Sequence, residues 1–322
     1  MPDNRRTLPY KVIQWTTGVV AKEAVIGIVG RPDLELVGAW THSAEKDGRD
    51  VGELFLRSGK NVVNLWWPSL VYPRPLGDEV YKPLQEACLE GASSFLTVGM
   101  DPGYGTAALA LAALPLAREV GSVHMTQIMN NAYWEGEGIT LFYGFGQRDA
   151  ANSPMLAPGV TTRYHATTLH LLADAIGVTI EDIVEDHTVI YADEAFDIAS
   201  GHIPAGTISG LRYQVKGMAQ GEARVIVEHV ERLRDNDFPE LEFKGDGYRA
   251  EVTGEPCIRL DMAIKPSPGF TGDHMAVASA MSVVNAIPRV CEAPPGVLSL
   301  LDLPPFPANT PTDRTGPVPT PS

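Results

Sequence analysis

The sequence predicts an α/β protein with a shortened N-terminal Rossmann-type parallel sheet and a second α+β domain built on a largely antiparallel sheet. Two observations carry this prediction. The segment Tyr10–Trp40 has the order strand, glycine turn, helix, strand that is typical of a βαβ unit. After residue 120, strand-like runs follow one another with few helices between them, a pattern typical of an antiparallel sheet.

The βαβ unit begins with the apolar segment 11–14, and the turn Thr16-Thr17-Gly18 follows it. Alanine and isoleucine recur at helical spacing over residues 19–29, and the Gly-Arg-Pro-Asp segment 30–33 ends that helix. The apolar segment 34–40 is the second strand. This order favours a nucleotide-binding unit over an ordinary α/β unit.

A dinucleotide turn needs small residues, because backbone amides at a helix N-terminus must approach the pyrophosphate. Gly18 is the one glycine of the usual motif that remains here; Trp15 replaces the first, and Ala21 can replace the last. The strand, turn and helix context therefore carries the prediction more than the motif does. The turn supplies these predicted cofactor-binding residues: Thr16, Thr17, Gly18, Val19 and Val20.

A second strand–loop–helix unit covers the buried strand 93–99, the loop 100–103 and the alanine-rich helix 106–117. Ligands bind at the carboxyl ends of strands in open α/β sheets. The loop therefore supplies three more predicted cofactor-binding residues: Asp101, Pro102 and Gly103.

The segment after the second strand sets cofactor selectivity. NAD sites usually place an acid at that strand end, but here Ser43, Lys46 and Arg49 follow it and could hold a 2′-phosphate. We expect NADP(H) to be preferred, with NAD(H) possible. The alternative is a solvated polar loop in which neighbouring acidic residues offset the basic charges.

The formal net charge of −15 argues against nucleic acid as a partner, because a phosphate backbone needs a basic face. A small-molecule substrate is expected instead. The three cysteines form no CxxC pair, which argues against disulfides and zinc and fits the cytoplasm. No signal peptide or membrane span is recognisable, so no membrane is expected as a partner.

Several ordered motifs are similar to one family. They are residues 12–18, 31–43, 48–50, 101–104, 144–146, 156–160, 205–210 and 284–288. Through them the chain resembles the dihydrodipicolinate reductase-like family, which includes 2,4-diaminopentanoate dehydrogenase and the native amine dehydrogenases. The resemblance implies NAD(P)H-dependent hydride transfer to an imine, as in reductive amination of a small ketone or aldehyde. It also implies a homodimer and a role for Asn285 in cofactor binding.

The predicted division follows from these patterns. A dinucleotide-binding domain spans 1–122, and a substrate and dimerisation domain spans 123–272. The helix in 273–302, capped by Asp273 and broken or kinked at Pro288, packs back on the first domain. A disordered proline-rich tail is expected at 303–322.

Two departures from the family pattern leave an alternative open. A segment that members usually carry after Phe55 is absent, so either Val62–Leu65 takes its place or the cofactor site is incomplete. The glutamate expected before Tyr72-Pro73 is also absent, which removes a carboxylate that could act on ammonia. The alternative is a catalytically weakened homologue that acts as a dimeric binding or regulatory protein. A sheet that closes around Val62–Leu65 and leaves an open cleft beside Gly18 and Asp101–Gly103 would favour the enzyme, and a filled cleft would favour the binding protein.

Other polar side chains are weaker candidates. Asn131 and Tyr133 could line a substrate pocket as catalytic residues, or could form the rim of the sheet. Glu228 beside His229 suggests an acid–base pair, but neighbours in a strand point to opposite faces, so ordinary sheet positions are expected. No metal is expected, because His165 and its nearest helical histidine are five residues apart.

Overall fold

The computed structural model of the protein describes residues 8–16, 18–40, 55–65, 67–270 and 272–306. Four of the predicted site residues lie outside these ranges: Thr17, Ser43, Lys46 and Arg49. Within the described ranges the strands form a two-stranded, a six-stranded, a three-stranded and a second two-stranded sheet.

The strands, in chain order, are β1 (Tyr10–Trp15), β2 (Leu34–Trp40), β3 (Val62–Asn64), β4 (Ser94–Thr97), β5 (Glu119–Asn130), β6 (Asp182–Tyr191), β7 (Phe196–Ile198), β8 (Gly201–Ile203), β9 (Ile208–Ala219), β10 (Glu222–Arg232), β11 (Asp246–Glu255), β12 (Ile258–Ile264) and β13 (Gly296–Leu298). The helices are α1 (Val19–Val29), α2 (Asp78–Gly91), α3 (Leu109–Ala113), α4 (Glu137–Tyr143), α5 (Val160–Ala175) and α6 (His274–Glu292).

The predicted N-terminal βαβ unit is present. β1 and β2 pair in parallel, and α1 connects them. Its apolar face joins Tyr10, Ile28 and Leu34 to Ala280 and Val284 of α6 in one buried cluster. The last long helix of the chain therefore packs against the first, which closes this part of the core.

Helix α6 begins as the sequence predicts, since the Asp273 side chain accepts hydrogen bonds from the amides of Met275 and Ala276. The predicted break at Pro288 is wrong, because the helix continues to Glu292. Ala286 and Val290, two residues before and after Pro288, are buried in the main core, and this packing offsets the backbone hydrogen bond that proline cannot make.

Arg31 fixes the helix pair after the turn that ends α1. Its guanidinium bonds both carboxylate oxygens of Asp33, at 3.0 and 2.6 Å, and the Asn285 Oδ1 at 2.8 Å. Arg31 is 5% exposed. Asn285 belongs to the family motif at residues 284–288, which lies on α6. In the described structure its side chain is a partner of Arg31.

The second parallel sheet has the order β13, β4, β3. β3 pairs with β4, and in the described part of the chain β1 pairs with β2 alone. Val62–Asn64 is thus a strand of the parallel layer, but it is not hydrogen-bonded beside β1. Its carboxyl end and that of β4 lie at the same edge of the sheet.

The large sheet has the order β12, β11, β5, β10, β9, β6. Every neighbouring pair is antiparallel except β5 and β10, which run parallel. One face of the sheet packs under α5 in the main hydrophobic core, through residues such as Met125, Val215, Val227 and Leu169. Leu303 and Phe306 also pack against this core, so the predicted tail begins later than 303.

The rest of the predicted tail, 307–322, lies outside the described residues. Among the described residues, no helix combines the length and the apolar character that crossing a membrane requires.

The opposite face of the large sheet carries a buried carboxylate, Glu228, which is 2% exposed. It accepts hydrogen bonds from Thr126 at 2.9 Å, from Gln214 at 2.7 Å and from Arg212, and His124 lies 3.1 Å away. Burial alone would raise the pKa of Glu228, but these partners, His124 above all, outweigh burial and lower the pKa to about 2. The side chain is therefore ionised across the neutral range.

Replacing Arg31 with alanine should lower the free energy of unfolding by about 2 kcal/mol, because Asp33 and Asn285 lose their partner in a closed helix contact. Thermal and urea unfolding would measure the loss. Lys82→Ala, which breaks an exposed pair with Asp78, is the matched control and should leave stability unchanged. Equal stability of the two variants would contradict the anchoring role of Arg31.

Glu228→Gln should destabilise the protein at pH 7 by about 2–3 kcal/mol, because Arg212 and His124 lose a buried anionic partner. The folded pKa of Glu228 is lowered, so its contribution is present above about pH 4.5 and is lost as the pH falls towards about 2. Urea unfolding over this pH window should show the two proteins converging. Glu222→Gln, at an exposed position of the same strand, should show no pH-dependent difference from the parent protein.

Candidate functional site

A cleft of about 230 Å³ opens between the first turn of α1, the loop after β4, the face of β5 and the first turn of α6. The residues that line it are Val19, Val20, Met100, Asp101, Gln127, Met129, Trp134, Tyr248, Asp273, Met275, Ala276 and Ser279. Most of this lining is apolar, with a few convergent polar groups, which is typical of a small-molecule site. The N-terminal parallel layers and the large sheet therefore contribute to one cavity.

The first wall is the N-terminus of α1. Gly18 is the N-cap residue, and it offers no side chain to cap the first amides. Among the described residues, a Cβ added at Gly18 would meet nothing within 4 Å. Thr16 has φ of 77°, which turns the chain sharply between β1 and α1. Free amides at an open helix N-terminus can bind a phosphate or another anion.

The second wall is the loop that follows β4. Gly103 has φ of 132°, and a Cβ there would lie 2.7 Å from the backbone of Gly99, so only glycine fits. The Gly103 amide donates to the Thr106 hydroxyl at 3.1 Å. This closed turn holds Asp101 at the rim of the cleft, with 23% of its side chain exposed.

Behind Asp101 lies a group of buried ionisable side chains from β10 and β5. The Nε2 atom of His229 is 3.5 Å from the Asp101 Oδ2, and its Nδ1 is 3.4 Å from the Glu231 Oε1. Glu231 also accepts hydrogen bonds from Gln127 at 3.1 Å and Asn131 at 2.8 Å. His229 and Glu231 have side chains that are 2% and 1% exposed. A carboxylate, an imidazole and a second carboxylate thus run inward from the cleft.

Aromatic rings enclose His229. The Tyr213 ring stacks on it, with centroids 5.0 Å apart, and the His165 ring packs on it with centroids 4.4 Å apart. The Nε2 of His165 lies 3.3 Å from the Tyr213 hydroxyl. The Nδ1 atom of the enclosed imidazole lies 3.1 Å from the Gln127 Nε2 and 3.4 Å from the Glu231 Oε1, and its Nε2 faces Asp101.

The charges of the group follow from this geometry. Burial raises the pKa of Asp101, which has only His229 and Thr106 to lower it. Burial alone would lower the pKa of His229, but Asp101 and Glu231 outweigh burial and raise it. His165 has its pKa lowered well below the usual range, by burial first and then by His229. Of the two imidazoles, His229 therefore holds a proton more readily than His165.

Three buried polar atoms in this region have no hydrogen-bond partner among the described residues: His229 Nε2, Trp134 Nε1 and Asp273 Oδ2. Trp134 and Asp273 line the cleft, and His229 faces Asp101. Since buried polar groups are nearly always satisfied, unpaired donors and acceptors at a cleft indicate atoms that a ligand completes.

The ligand atoms of Asp101, His165 and His229 lie within 4.8 Å of one another. Two imidazoles and a carboxylate are a ligand set that zinc and non-haem iron use. The expectation that the chain binds no metal stays a prediction.

The predicted cofactor residues divide into two groups. Val19, Val20 and Asp101 line the cleft, with Gly18 and Thr16 exposed beside it. Pro102 and Gly103 are buried in the loop and shape it, and Asn285 lies away from the cleft on Arg31.

The two catalytic candidates do not line the cleft. The Asn131 amide faces inward to Glu231. The Tyr133 hydroxyl donates to the Asp246 Oδ2 at 2.6 Å, and its ring packs on Trp134 and His274. Asn131 thus supports the buried group, and Tyr133 supports the wall of the cleft.

Sequence reasoning missed the buried group. Glu228 and His229 do point to opposite faces as expected, but His229 is not an ordinary sheet position. A signal exists in the sequence: Val225, Val227, His229 and Glu231 alternate along β10, so two polar residues continue an apolar face. The sequence does not show which strand pairs with β10. The register that sets Gln127 opposite His229 is decided by the tertiary structure.

Comparisons with known proteins agree with the motifs. Residues 164–315 match the family described as the 2,4-diaminopentanoate dehydrogenase C-terminal domain. An amine dehydrogenase from Streptomyces virginiae is 26% identical over 349 aligned positions, which cover 92% of this chain and 96% of that protein. The alignment has 349 positions, which is more than the number of residues that this chain contributes to it. The relative therefore carries residues that have no counterpart here.

A 2,4-diaminopentanoate dehydrogenase from Acetoanaerobium sticklandii is 23% identical over 73% of this chain and 64% of its own length. The solved structure of an amine dehydrogenase from Mycobacterium smegmatis superposes with a TM-score of 0.70 at 16% identity, over 95% of this chain and 98% of that one. That likeness confirms the predicted fold class, a parallel N-terminal layer with a largely antiparallel second sheet.

Proposed function

We propose that this chain, which belongs to the group of amine dehydrogenases and 2,4-diaminopentanoate dehydrogenases, is an NAD(P)-dependent oxidoreductase that acts on a CH–NH2 group. In the reverse direction it reduces the C=N bond formed from a small ketone or aldehyde and ammonia. The observation that carries the proposal is the cleft, where the open N-terminus of α1 and the Asp101 loop meet the face of the large sheet.

The residues present fit a nicotinamide dinucleotide. The uncapped amides that follow Gly18, with open space before them, suit the pyrophosphate, and Val19 and Val20 lead from there into the cleft. The unpaired Trp134 Nε1 and Asp273 Oδ2 offer one donor and one acceptor inside the cleft. When bound, the nicotinamide supplies the site that accepts or gives the hydride.

The chain's own residues prepare the reaction. The methionines and valines of the lining exclude water, which would otherwise hydrolyse an imine before it is reduced. Asp101 is the ionisable group at the rim of the cleft that the buried His229 supports. Oxidation of R2CH–NH3+ by NAD(P)+ and water yields the carbonyl compound, NH4+, the reduced cofactor and one proton.

The cleft also bears on the second candidate, a catalytically weakened binding or regulatory homologue. The condition of an open cleft is met at Asp101 and at the first helical turn after Gly18, where Val19 and Val20 line it, whereas in the described part of the chain β3 is not hydrogen-bonded beside β1. The absent segment after Phe55 and the absent glutamate remain departures from the family. The open cleft supports the enzyme.

The purified protein, incubated with NADP+ or NAD+ and a panel of small primary amines, should produce reduced cofactor and release ammonia. Absorbance at the nicotinamide band and an ammonia assay measure the two products. Cofactor binding without turnover of any amine would favour the binding or regulatory protein instead.

We further propose that NADP(H) is preferred, that the protein is a cytoplasmic homodimer and that residues 1–122 and 123–272 divide cofactor and substrate binding between them. The polar segment with Ser43, Lys46 and Arg49 supports the cofactor preference. Sedimentation analysis of the native protein tests the dimer.

The double variant Lys46→Ala, Arg49→Ala should raise the dissociation constant for NADPH by about tenfold or more, because charged hydrogen bonds to the 2′-phosphate are lost. Binding of NADH, which lacks that phosphate, should not change. Lys60→Ala removes an exposed lysine that bonds a neighbouring carbonyl, so it controls for the loss of a positive charge outside the segment. Fluorescence titration measures each constant; equal weakening of both cofactors would contradict the selectivity.

A further inference from the structure

We propose that Asp101 binds and deprotonates the ammonium group of the substrate, and that His229 and Glu231 position it from behind. The proposal rests on the proposed function, because it names the substrate class of the same cleft. That class is a primary amine that carries no carboxylate near the reacting carbon.

The placement of Asp101 is the first support. It is the member of the inward chain of ionisable groups that reaches the cleft, while His229 and Glu231 are almost fully buried behind it. The unpaired, buried Nε2 of His229 points towards Asp101 and leaves the outer face of that carboxylate to a ligand. A cationic nitrogen in the cleft would complete a charge-assisted hydrogen bond with Asp101.

The charges of the lining are the second support. Asp101 and Asp273 are its charged members, and none of the described residues that line the cleft is lysine or arginine. Two carboxylates attract an ammonium group, and a substrate carboxylate would lie beside like charge with no cationic partner. The cleft therefore selects simple amines over amino acids.

The sequence explains why another carboxylate is needed. The resemblance to the amine dehydrogenases implies a glutamate just before the Tyr-Pro pair, where this chain has Val71 before Tyr72 and Pro73. Val71 is 1% exposed and packs in the main core, so that position offers no acid–base group. Asp101 is a carboxylate that the described structure places in the cleft instead.

The step is a simple proton transfer. One N–H bond of R2CH–NH3+ breaks, its electron pair stays on nitrogen, and the proton moves to an Asp101 carboxylate oxygen, which leaves R2CH–NH2 ready for oxidation. Burial raises the pKa of Asp101, which strengthens this carboxylate as a base. Glu231 holds the Nδ1 side of His229, as a third group orients the base in other catalytic arrangements.

Binding of three probes of similar shape tests the site without turnover. Calorimetry of the protein with NADP+ should show cyclohexylammonium binding, with cyclohexanol weaker and cyclohexanecarboxylate undetected. Asp101→Asn should weaken the ammonium about tenfold to a hundredfold and leave cyclohexanol unchanged. Equal ammonium affinity in Asp101→Asn, or preferred binding of the carboxylate, would overturn the proposal.

Kinetics test the catalytic and positioning roles. Asp101→Asn should lower kcat for amine oxidation by about 10²–10⁴-fold, with the dissociation constant for NADPH unchanged. Glu231→Gln should lower kcat, and Glu231→Asp, which restores the charge, should recover part of it; a merely structural role would not distinguish these two. His202→Asn, at an exposed histidine paired with Asp197, is the control and should have parental kcat.

Loss of NADPH binding in Asp101→Asn in proportion to kcat would instead make Asp101 a cofactor residue and overturn the proposal. Dialysis against EDTA should leave turnover intact. A loss of turnover that added zinc restores would make Asp101 a metal ligand and would also overturn the proposal. If the parent protein turns over no amine, the calorimetry still decides whether Asp101 binds ammonium, so the two proposals fail separately.

Discussion

The buried chain of Asp101, His229 and Glu231 constrains the structure around the cleft. Three ionisable groups that leave water incur a large desolvation penalty, which only close pairing and further hydrogen bonds can offset. Glu231 has Gln127, Asn131 and His229 around it, and His229 has a carboxylate on each side. Moving any one of them would leave a buried charge without a partner. The register of β5 against β10 and the position of the loop after β4 are therefore coupled.

That coupling joins the two parts of the molecule. Glu231, His229 and Gln127 belong to the large sheet, whereas Asp101 follows a strand of the parallel layer. The ion pair between His229 and Asp101 crosses the junction, and the cleft opens beside it. Helix α6 closes the other side, because it packs on α1 and contributes its first turn to the lining. The site thus depends on the same contacts that join the layers.

The large sheet uses its two faces differently. Successive residues of β10 point to opposite sides, so Glu228 pairs with His124 and Arg212 on one face while His229 faces Asp101 on the other. The first carboxylate has its pKa lowered and remains an anion, which is a structural role. Asp101 has its pKa raised and reaches the cleft, which suits proton exchange. The surroundings, not the residue type, separate the two roles.

The sequence by itself determined the βαβ start at Tyr10–Trp40 and the cap of the last helix at Asp273, because these depend on local spacing and capping. Its ordered motifs also predicted the similarity to the 2,4-diaminopentanoate dehydrogenase C-terminal domain that residues 164–315 show. The sequence also pointed to Val19, Val20 and Asp101, which line the cleft, since loops at the carboxyl ends of strands bind ligands. Only the tertiary structure decided that His229 and Glu231 support Asp101, and that Asn285 binds Arg31. Those groups are as much as 254 residues apart in the chain, and only strand register and helix packing bring them together.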